Sequence, residues 1–420
     1  MYALIDCDSF FCSVERVFHP GLRCCPVCVL SCNDGCIVAL TREAKALGLR
    51  RGDPIFRVSE IVRRGHVRVF SSNLALYAAM SRRITRILRK SIAEVESYSI
   101  DESFCNLSGY EGYGLEAFMR GIVERIRLWT DIPTSVGIAS TKTLAKVAAW
   151  YAKRYKGYRS VCVIDTDEKR RRALGGIKLC DVWGIGRGGV RVLNGLGIGT
   201  PLDFADSRER VVRRLALPLL RTWRELNGEA CIDTGEVVRK RSICTSRSFG
   251  QMVSDMGSVK EAVAHFAACC AERLRGQECV AGEVCVFLSS NRFRTDLEQY
   301  ACAATHVFAT PTADTIEITE AAHGLVEGLY RRGILYKKAG VVLGGILPGS
   351  AVQLALFDSV GNRRGRAGLM GVMDGLNRRY GAGSVVLGAE GGGVRPWHGR
   401  CGYRSGCYLS DVDELLTVRL

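Results

Sequence analysis

No uninterrupted apolar stretch of this 420-residue chain reaches about 18 residues, the length that a membrane-crossing helix needs. No basic amphipathic terminus stands out either, which argues against a membrane surface as the partner of its charge. The first residues run straight into a strand-like segment, so no signal peptide is expected, and the expected location is the cytoplasm, in association with the nucleoid. Acidic residues are in deficit: 43 Asp and Glu face 59 Lys and Arg, a formal net charge of +16. Such a surplus attracts polyanions through counterion release without dictating a fold, so nucleic acid is the expected partner. The low hydrophobicity that marks disorder is missing too: 47% of residues are hydrophobic and 24% charged, the balance of a globular protein. The length predicts two to four domains.

Cysteine is abundant, at 19 residues, yet a disulfide framework is not what the pattern describes. The total is odd, and the residues scatter through apolar runs such as Val27-Cys28-Val29 and Val161-Cys162-Val163, where they read as small buried hydrophobes. The cluster Cys24, Cys25, Cys28, Cys32 and Cys36 contains one CxxC spacing, a zinc signature when a second such pair follows. Here the later members are separated by three residues, and Cys28 alternates with Val27 and Val29 as a buried strand would. Burial is the expectation, with zinc as its rival.

Against the basic background, a few acids at the ends of apolar segments draw attention. Asp101 and Glu102 are adjacent inside Tyr98–Phe104, and Asp6 ends the strand-like run Tyr2–Ile5. Carboxylates placed at the ends of apolar strands in a basic chain describe a divalent-metal site that acts on nucleic acid, because hard cations take oxygen ligands and balance phosphate charge.

Periodicity places these acids in a recognisable order. A strand to Asp6, a helix over Phe10–Phe18, a strand at Pro26–Leu30, a turn at Asn33-Asp34-Gly35 and a helix over Thr41–Leu47 are predicted first. An amphipathic helix over Leu74–Ile92 leads into the acid-bearing hairpin. A helix over Leu115–Leu128, a strand at Thr134–Ile138 and a helix over Lys142–Lys153 follow. This is a ferredoxin-like order. From Asp165 to Cys231, Asp181–Gly186 and Leu193–Ile198 suggest two short helices around a glycine turn. Such a helix-hairpin-helix presents backbone N–H groups to a phosphate, although an ordinary glycine-capped turn would look the same. After the basic stretch Val237–Arg241, strands at Ser242–Gly250, Val280–Leu288, Cys302–Phe308 and Lys338–Leu343 with helices at Val259–Leu274 and Ile316–Tyr330 repeat the earlier order, now without an acid cluster. The final stretch opens on Gln353-Leu354-Ala355-Leu356-Phe357-Asp358 and turns rich in Gly and Arg. It reads as a flexible tail carrying a short apolar peptide, which either docks in a partner's groove or packs on its own domain.

With those residues quoted, the chain resembles the Y family of translesion DNA polymerases, in its UmuC branch. Matching segments span nearly the whole length: Ala3–Asp6 with Phe10 and Phe11, Asn33–Cys36, Glu43–Gly48, Phe70–Asn73, Tyr98–Phe104, Thr141–Lys146, Asp181–Arg187, Ser246–Gly250, Lys338–Val341, Gln353–Asp358, and Leu369 to Asp374. The resemblance implies an α+β multidomain right-hand polymerase. Its ferredoxin-like palm would take 1–20 and 75–165, small fingers 21–74, and a helix-hairpin-helix thumb 166–231. A basic linker at 232–241, a βαββαβ little finger at 242–348 and a C-terminal tail at 349–420 would complete it.

The resemblance also implies the site. Asp6, Asp101 and Glu102 would be catalytic and, with the Cys7 backbone carbonyl, would hold two Mg²⁺. From the sequence alone Phe11 reads first as a core aromatic beside Phe10; the resemblance reverses this and implies the steric gate against a ribose 2′-hydroxyl. Phe10, Val38, Arg42, Lys45 and Lys153 would contact the nucleotide, and Val38 would lie over the templating pair. DNA contacts would come from Gly184, Gly186, Arg187, Arg239, Lys240, Arg241 and Arg247, and the peptide Gln353, Leu354, Leu356 and Phe357 would bind the β sliding clamp. The implied activity is DNA-directed DNA synthesis, error-prone and across lesions, in the SOS response to DNA damage. Implied partners are primer-template DNA, deoxynucleoside triphosphates, a UmuD-like accessory dimer and a RecA filament. The alternative is a non-catalytic adaptor of the same family that binds DNA and clamp; such adaptors lose the carboxylates, which this chain keeps.

Overall fold

The structure, a computed structural model, describes residues 1–233, 240–353, 362–393, 395–409 and 414–415. The chain divides into two compact units, Met1–Glu236 with Gly402–Leu420, and Val237–Cys401.

In the first unit, strands β1 (Tyr2–Cys7), β2 (Val27–Leu30), β3 (Ile37–Leu40), β4 (Arg68–Ser71), β5 (Val95–Ser97), β6 (Glu102–Asn106), β7 (Thr134–Ala139) and β8 (Val161–Ile164) form two sheets. The larger has the order β5-β6-β1-β7-β8 and the smaller β3-β2-β4. Strand β1 is central and sorts its side chains by the period of two that a pleated strand imposes. Ala3, Ile5 and Cys7 enter one core, built with helices Leu74–Arg89 and Leu115–Thr130, while Leu4 enters a second core under helix Lys142–Arg154. Asp6 follows Leu4 by two residues and therefore faces that third helix. The helix lies directly on β7: a Cβ at Gly137 would meet the Ala145 carbonyl oxygen and the Ala149 nitrogen at 2.1 Å, so only glycine permits the approach.

The small sheet pairs β2 with β3 antiparallel and with β4 parallel. Strand β2 is buried along its whole length, and Cys28 packs with Leu30, Ile37, Leu40 and Leu49. Burial pushes the Cys28 thiol up to about 11. That is the behaviour of a small hydrophobe rather than of a ligand thiolate. Residues 166–231 are helical, and Leu174, Leu193, Phe204 and Leu226 join the core that contains Leu4.

The second unit is a four-stranded antiparallel sheet in the order β11-β10-β12-β9, from β9 (Ile243–Val253), β10 (Cys279–Ser290), β11 (Ala301–Thr312) and β12 (Tyr336–Pro348). Helices Met256–Arg275 and Thr315–Leu329 cover one face and share a core with Phe249, Phe266 and Tyr336. The expectation of a flexible tail needs correction. Residues Arg363–Tyr380 form a helix whose Met370 is fully buried and whose Asp374, one turn on, accepts two bonds at 2.7 Å from Arg275. Further along, Trp397 is buried against Phe266. Two apolar anchors and the ion pairs Arg275–Asp374, Arg363–Glu317 and Arg366–Asp314 hold a segment whose composition looks unstructured.

Candidate active site

Pairing of β1 with β6 sets Asp6 opposite Glu102, and the Asp101 carbonyl accepts the Cys7 N–H at 2.9 Å. The acids from distant parts of the chain therefore meet at one end of the sheet. Ser99 shapes the turn that presents them: its hydroxyl oxygen accepts the Asp101 and Glu102 N–H groups at 3.2 and 3.0 Å and donates to Asp101 Oδ1 at 2.5 Å.

Helix Lys142–Arg154 lays three lysines over this acidic face, matched to successive strands. Lys142 Nζ bonds Glu96 on β5 at 2.8 Å, Lys146 Nζ bonds Glu102 on β6 at 2.9 Å, and Lys153 Nζ bonds Asp6 on β1 at 2.8 Å. Lys153 also reaches Asp8 at 3.4 Å, and Lys146 lies 4.5 and 5.3 Å from the ring centres of Tyr98 and Trp183. Burial raises the Asp6 carboxyl to about 6; Lys153 opposes the rise, and the neighbouring Glu102 and Asp8 add to it. Burial works against the Lys153 charge, but Asp6 and Asp8 overcome it and hold the ammonium above its ordinary value. The partly buried Asp6, next to Glu102 and Asp8, favours a cation at this end of the sheet, and Lys153 supplies one.

Two cavities flank the acids. One, of about 630 Å³, is lined by Cys7, Phe10, Phe11, Val38, Lys45, Asp101 and Lys153, so seven residues named from the sequence share one wall. Within it Phe10 is a core residue at 3% exposure, whereas Phe11 is only partly buried and stacks on Tyr77 with ring centres 4.4 Å apart. Lys45 is held below its ordinary pKa, first by burial and then by repulsion from Lys153 and Arg42. The other cavity, of about 540 Å³, is lined by Asp6, Glu102, Lys146 and Lys153 together with the turn Trp183-Gly184-Ile185-Gly186. Gly184 adopts φ +90°, and Gly186 precedes helix Arg187–Gly195, whose first N–H groups receive no side-chain cap.

Other expectations fall differently. Arg42 does not line the first cavity: it donates to the Lys153 carbonyl at 3.0 Å and lies 3.8 Å from Asp8. Lys240, Arg241 and Arg247 are exposed on the second unit, as is Gln353, while Arg239, Leu354, Leu356 and Phe357 lie outside the described residues. Sequence reasoning missed Asp8, Lys146 and Trp183. Lys146 and Lys153 are seven residues apart on a single helical face, a spacing that could have paired them.

The residues suit a hard divalent cation. Among the described residues no three His, Cys, Asp or Glu side chains are gathered as a ready metal centre, Asp6 and Glu102 each being turned onto an ammonium. The donors are nevertheless oxygens, and the ammonium groups of Lys146 and Lys153 mark where positive charge settles beside them.

Family models described as the impB/mucB/samB family and its C-terminal domain match residues 5–150 and 240–356, and a domain of unknown function matches 367–418. Protein UmuC of Salmonella typhimurium is 39% identical over the full length of both chains. A DNA polymerase IV of Desulfatibacillum aliphaticivorans is 26% identical, covering 91% of this chain and 94% of its own. Among solved structures, a Y-family DNA polymerase chimera superposes with a TM-score of 0.64 at 21% identity, covering 82% of this chain and 99% of the other. No helix among the described residues is long and apolar enough to cross a membrane. Joined to a sheet that brings Asp6, Asp101 and Glu102 to one end, these matches establish that the chain belongs to the impB/mucB/samB family and has the fold of the Y-family DNA polymerases.

Proposed function

We propose that this chain is a DNA-directed DNA polymerase that extends primers across damaged template positions, the error-prone catalytic subunit of a polymerase V-like complex. The observation that supports this most directly is the placing of the acid cluster between two cavities, one with an aromatic wall and lysines, the other closed by a glycine turn at a helix start.

Each group then has a physical task. Lys45 and Lys153 in the first cavity attract the triphosphate of an incoming nucleotide, and their mutual repulsion is relieved when the polyanion binds. Arg42 positions Lys153 by holding its carbonyl. Phe11 closes the cavity against a 2′-hydroxyl, and Val38 offers a small aliphatic surface to the new base pair. On the other side, Gly184, Gly186 and the start of helix Arg187–Gly195 present N–H groups to a backbone phosphate of the primer-template. Asp6, Asp101, Glu102 and the Cys7 carbonyl would hold two Mg²⁺, which when bound supply Lewis acidity to the primer hydroxyl and the phosphates. Residues 1–20 with 75–165 form the palm in this reading, 21–74 the fingers, 166–231 the thumb and 242–348 the little finger, with 232–241 a basic linker. Lys240, Arg241, Arg247 and Arg239 would follow the duplex. The working complex would add a β sliding clamp, a UmuD-like dimer and a RecA filament, in the cytoplasm on the nucleoid.

Primer extension on undamaged and abasic templates, with Mg²⁺, with and without clamp and accessory proteins, tests the reading. Product longer than the primer is expected, and DNA binding with no extension in any combination would leave only an adaptor. Within the same assay, replacing Leu356 and Phe357 by Ala should abolish clamp stimulation and spare basal synthesis, because tethering raises effective concentration without touching chemistry. Equal loss of both activities would make the peptide a folding element instead.

A further inference from the structure

The domain of unknown function ends in a stretch that belongs to the first unit. Residues 402–408 form a strap along β4 and helix Phe10–Phe18. The Gly402 N–H donates to Asp34 Oδ2 at 2.7 Å, and Ser71 and Tyr403 exchange bonds, the Ser71 N–H to the Tyr403 carbonyl at 2.9 Å and the Tyr403 N–H to Ser71 Oγ at 3.0 Å. The buried Asn73 side chain donates to the Ser405 carbonyl at 3.0 Å, and Tyr408 packs on Phe18 with ring centres 5.1 Å apart.

At the middle of the strap a polar relay starts. The Ser405 hydroxyl donates to Glu15 Oε1 at 2.9 Å, and the Tyr77 hydroxyl donates to the same oxygen at 2.7 Å. Glu15 is fully buried, and its Oε2 has no hydrogen-bond partner. Burial pushes the Glu15 carboxyl up, and the Tyr77 and Ser405 bonds hold it down. Phe11 stacks on the ring of Tyr77, with 18° between the ring planes. Direct contacts therefore run from Ser405 through Glu15 and Tyr77 to Phe11, the side chain that lines the 630 Å³ cavity.

We propose that the strap 402–408 is a positioning element of the nucleotide pocket, which fixes Phe11 through Glu15 and Tyr77 and so sets the sugar preference of the enzyme. The proposal rests on the reading of Phe11 as the wall against the 2′-hydroxyl. A buried carboxylate that already lacks a partner on one oxygen depends on both hydroxyl donors on the other. Withdrawing Ser405 removes one of the two bonds that fix the Glu15 carboxylate, so the acceptor of the Tyr77 phenol is free to shift and the ring stacked on Tyr77 gains room. Ser405 touches no substrate and acts only through its neighbours.

The experiment compares single-nucleotide insertion of a ribonucleotide and the matching deoxynucleotide by the full chain, Ser405→Ala, Ser405→Thr, Phe11→Ala and the Phe11→Ala/Ser405→Ala double variant, with thermal melts alongside. Ser405→Ala should raise the ribonucleotide to deoxynucleotide ratio of kcat/KM roughly fivefold, the effect of one lost hydrogen bond. Ser405→Thr, which keeps the hydroxyl, should restore the original ratio, and Ser405→Ala should add nothing once Phe11 is removed. A Ser405→Ala enzyme that slows both insertions equally, with a lowered melting temperature, has lost structure only, and the proposal is then overturned. It is equally overturned if Phe11→Ala changes the ratio and Ser405→Ala does not. If Phe11→Ala itself leaves the ratio unchanged, the wall reading has failed, and a Ser405 effect, if present, must have another route.

Discussion

Asp101→Asn is expected to reduce primer extension by about 10³-fold or more, since a cation-bearing carboxylate stabilises charge in the transition state by several kcal/mol and about 4 kcal/mol corresponds to that factor. DNA affinity should be largely unchanged in the variant, because contacts of Lys and Arg with backbone phosphates, not this carboxylate, supply most of the binding. The fold should survive: the bond from the Cys7 N–H to the residue 101 carbonyl and the Ser99 contacts to the backbone of 101 and 102 do not involve the charge. The measurement is single-turnover extension of a primed template beside a titration of the same labelled DNA. Retained extension with intact binding would remove Asp101 from the proposed metal site. Loss of both would show that the strand end had been disrupted, and Glu102→Gln would then serve as the second variant.

The logic of that site lies in which side of the sheet it occupies. Alternation along β1 put Leu4 and Asp6 on one face, and that much could be read from Tyr2 to Cys7, because a long-range core imposes a strict period of two. The aromatic pair was half legible: adjacency of Phe10 and Phe11 guarantees that they point apart on a helix, but nothing local says that Tyr77, far along the chain, will receive Phe11. The lysine row was not legible. Lys142, Lys146 and Lys153 share a helical face, but their match to Glu96, Glu102 and Asp6 depends on the strand order β5-β6-β1, which is a property of the assembled sheet.

Short elements escaped for a related reason. Strands β3 and β4 have four residues and β5 three, too few to show a period, whereas β2 was legible at Pro26–Leu30 as a short, continuous apolar run. Helix Arg363–Tyr380 buries only Met370, and its apolar residues at helical spacing, Leu369, Val372 and Leu376, stay exposed, so the pattern does not point to a core. Its order comes from Arg275, which also bonds the Ala313 carbonyl and Thr315 hydroxyl and pins Asp374, and from the pairs Arg363–Glu317 and Arg366–Asp314. Segments that take their order from long-range polar contacts, like this helix and the strap held by Asp34, Ser71 and Asn73, are invisible to composition.

Phe11→Ala is expected to raise the ribonucleotide to deoxynucleotide ratio of kcat/KM by roughly 10- to 100-fold, because pressing a hydroxyl into a packed aromatic wall costs about 1–3 kcal/mol and the variant removes that cost. The geometry confines the effect to the wall. Phe10 remains in the core to anchor the helix start, and the lost stack on Tyr77 adds about 0.5–1.5 kcal/mol to the loss of a ring that is only partly buried, a cost within a typical domain stability of about 5–15 kcal/mol. Phe11→Leu, which keeps part of the bulk, should fall between the two. Insertion of dATP and ATP opposite a template thymine, measured separately for each enzyme, gives the ratio directly. Were it unchanged in both variants, Phe11 would be a packing residue like its neighbour, the cavity beside Asp101 would need another wall against the ribose, and Val38 and Ile100, which line the same space, would be the side chains to replace next.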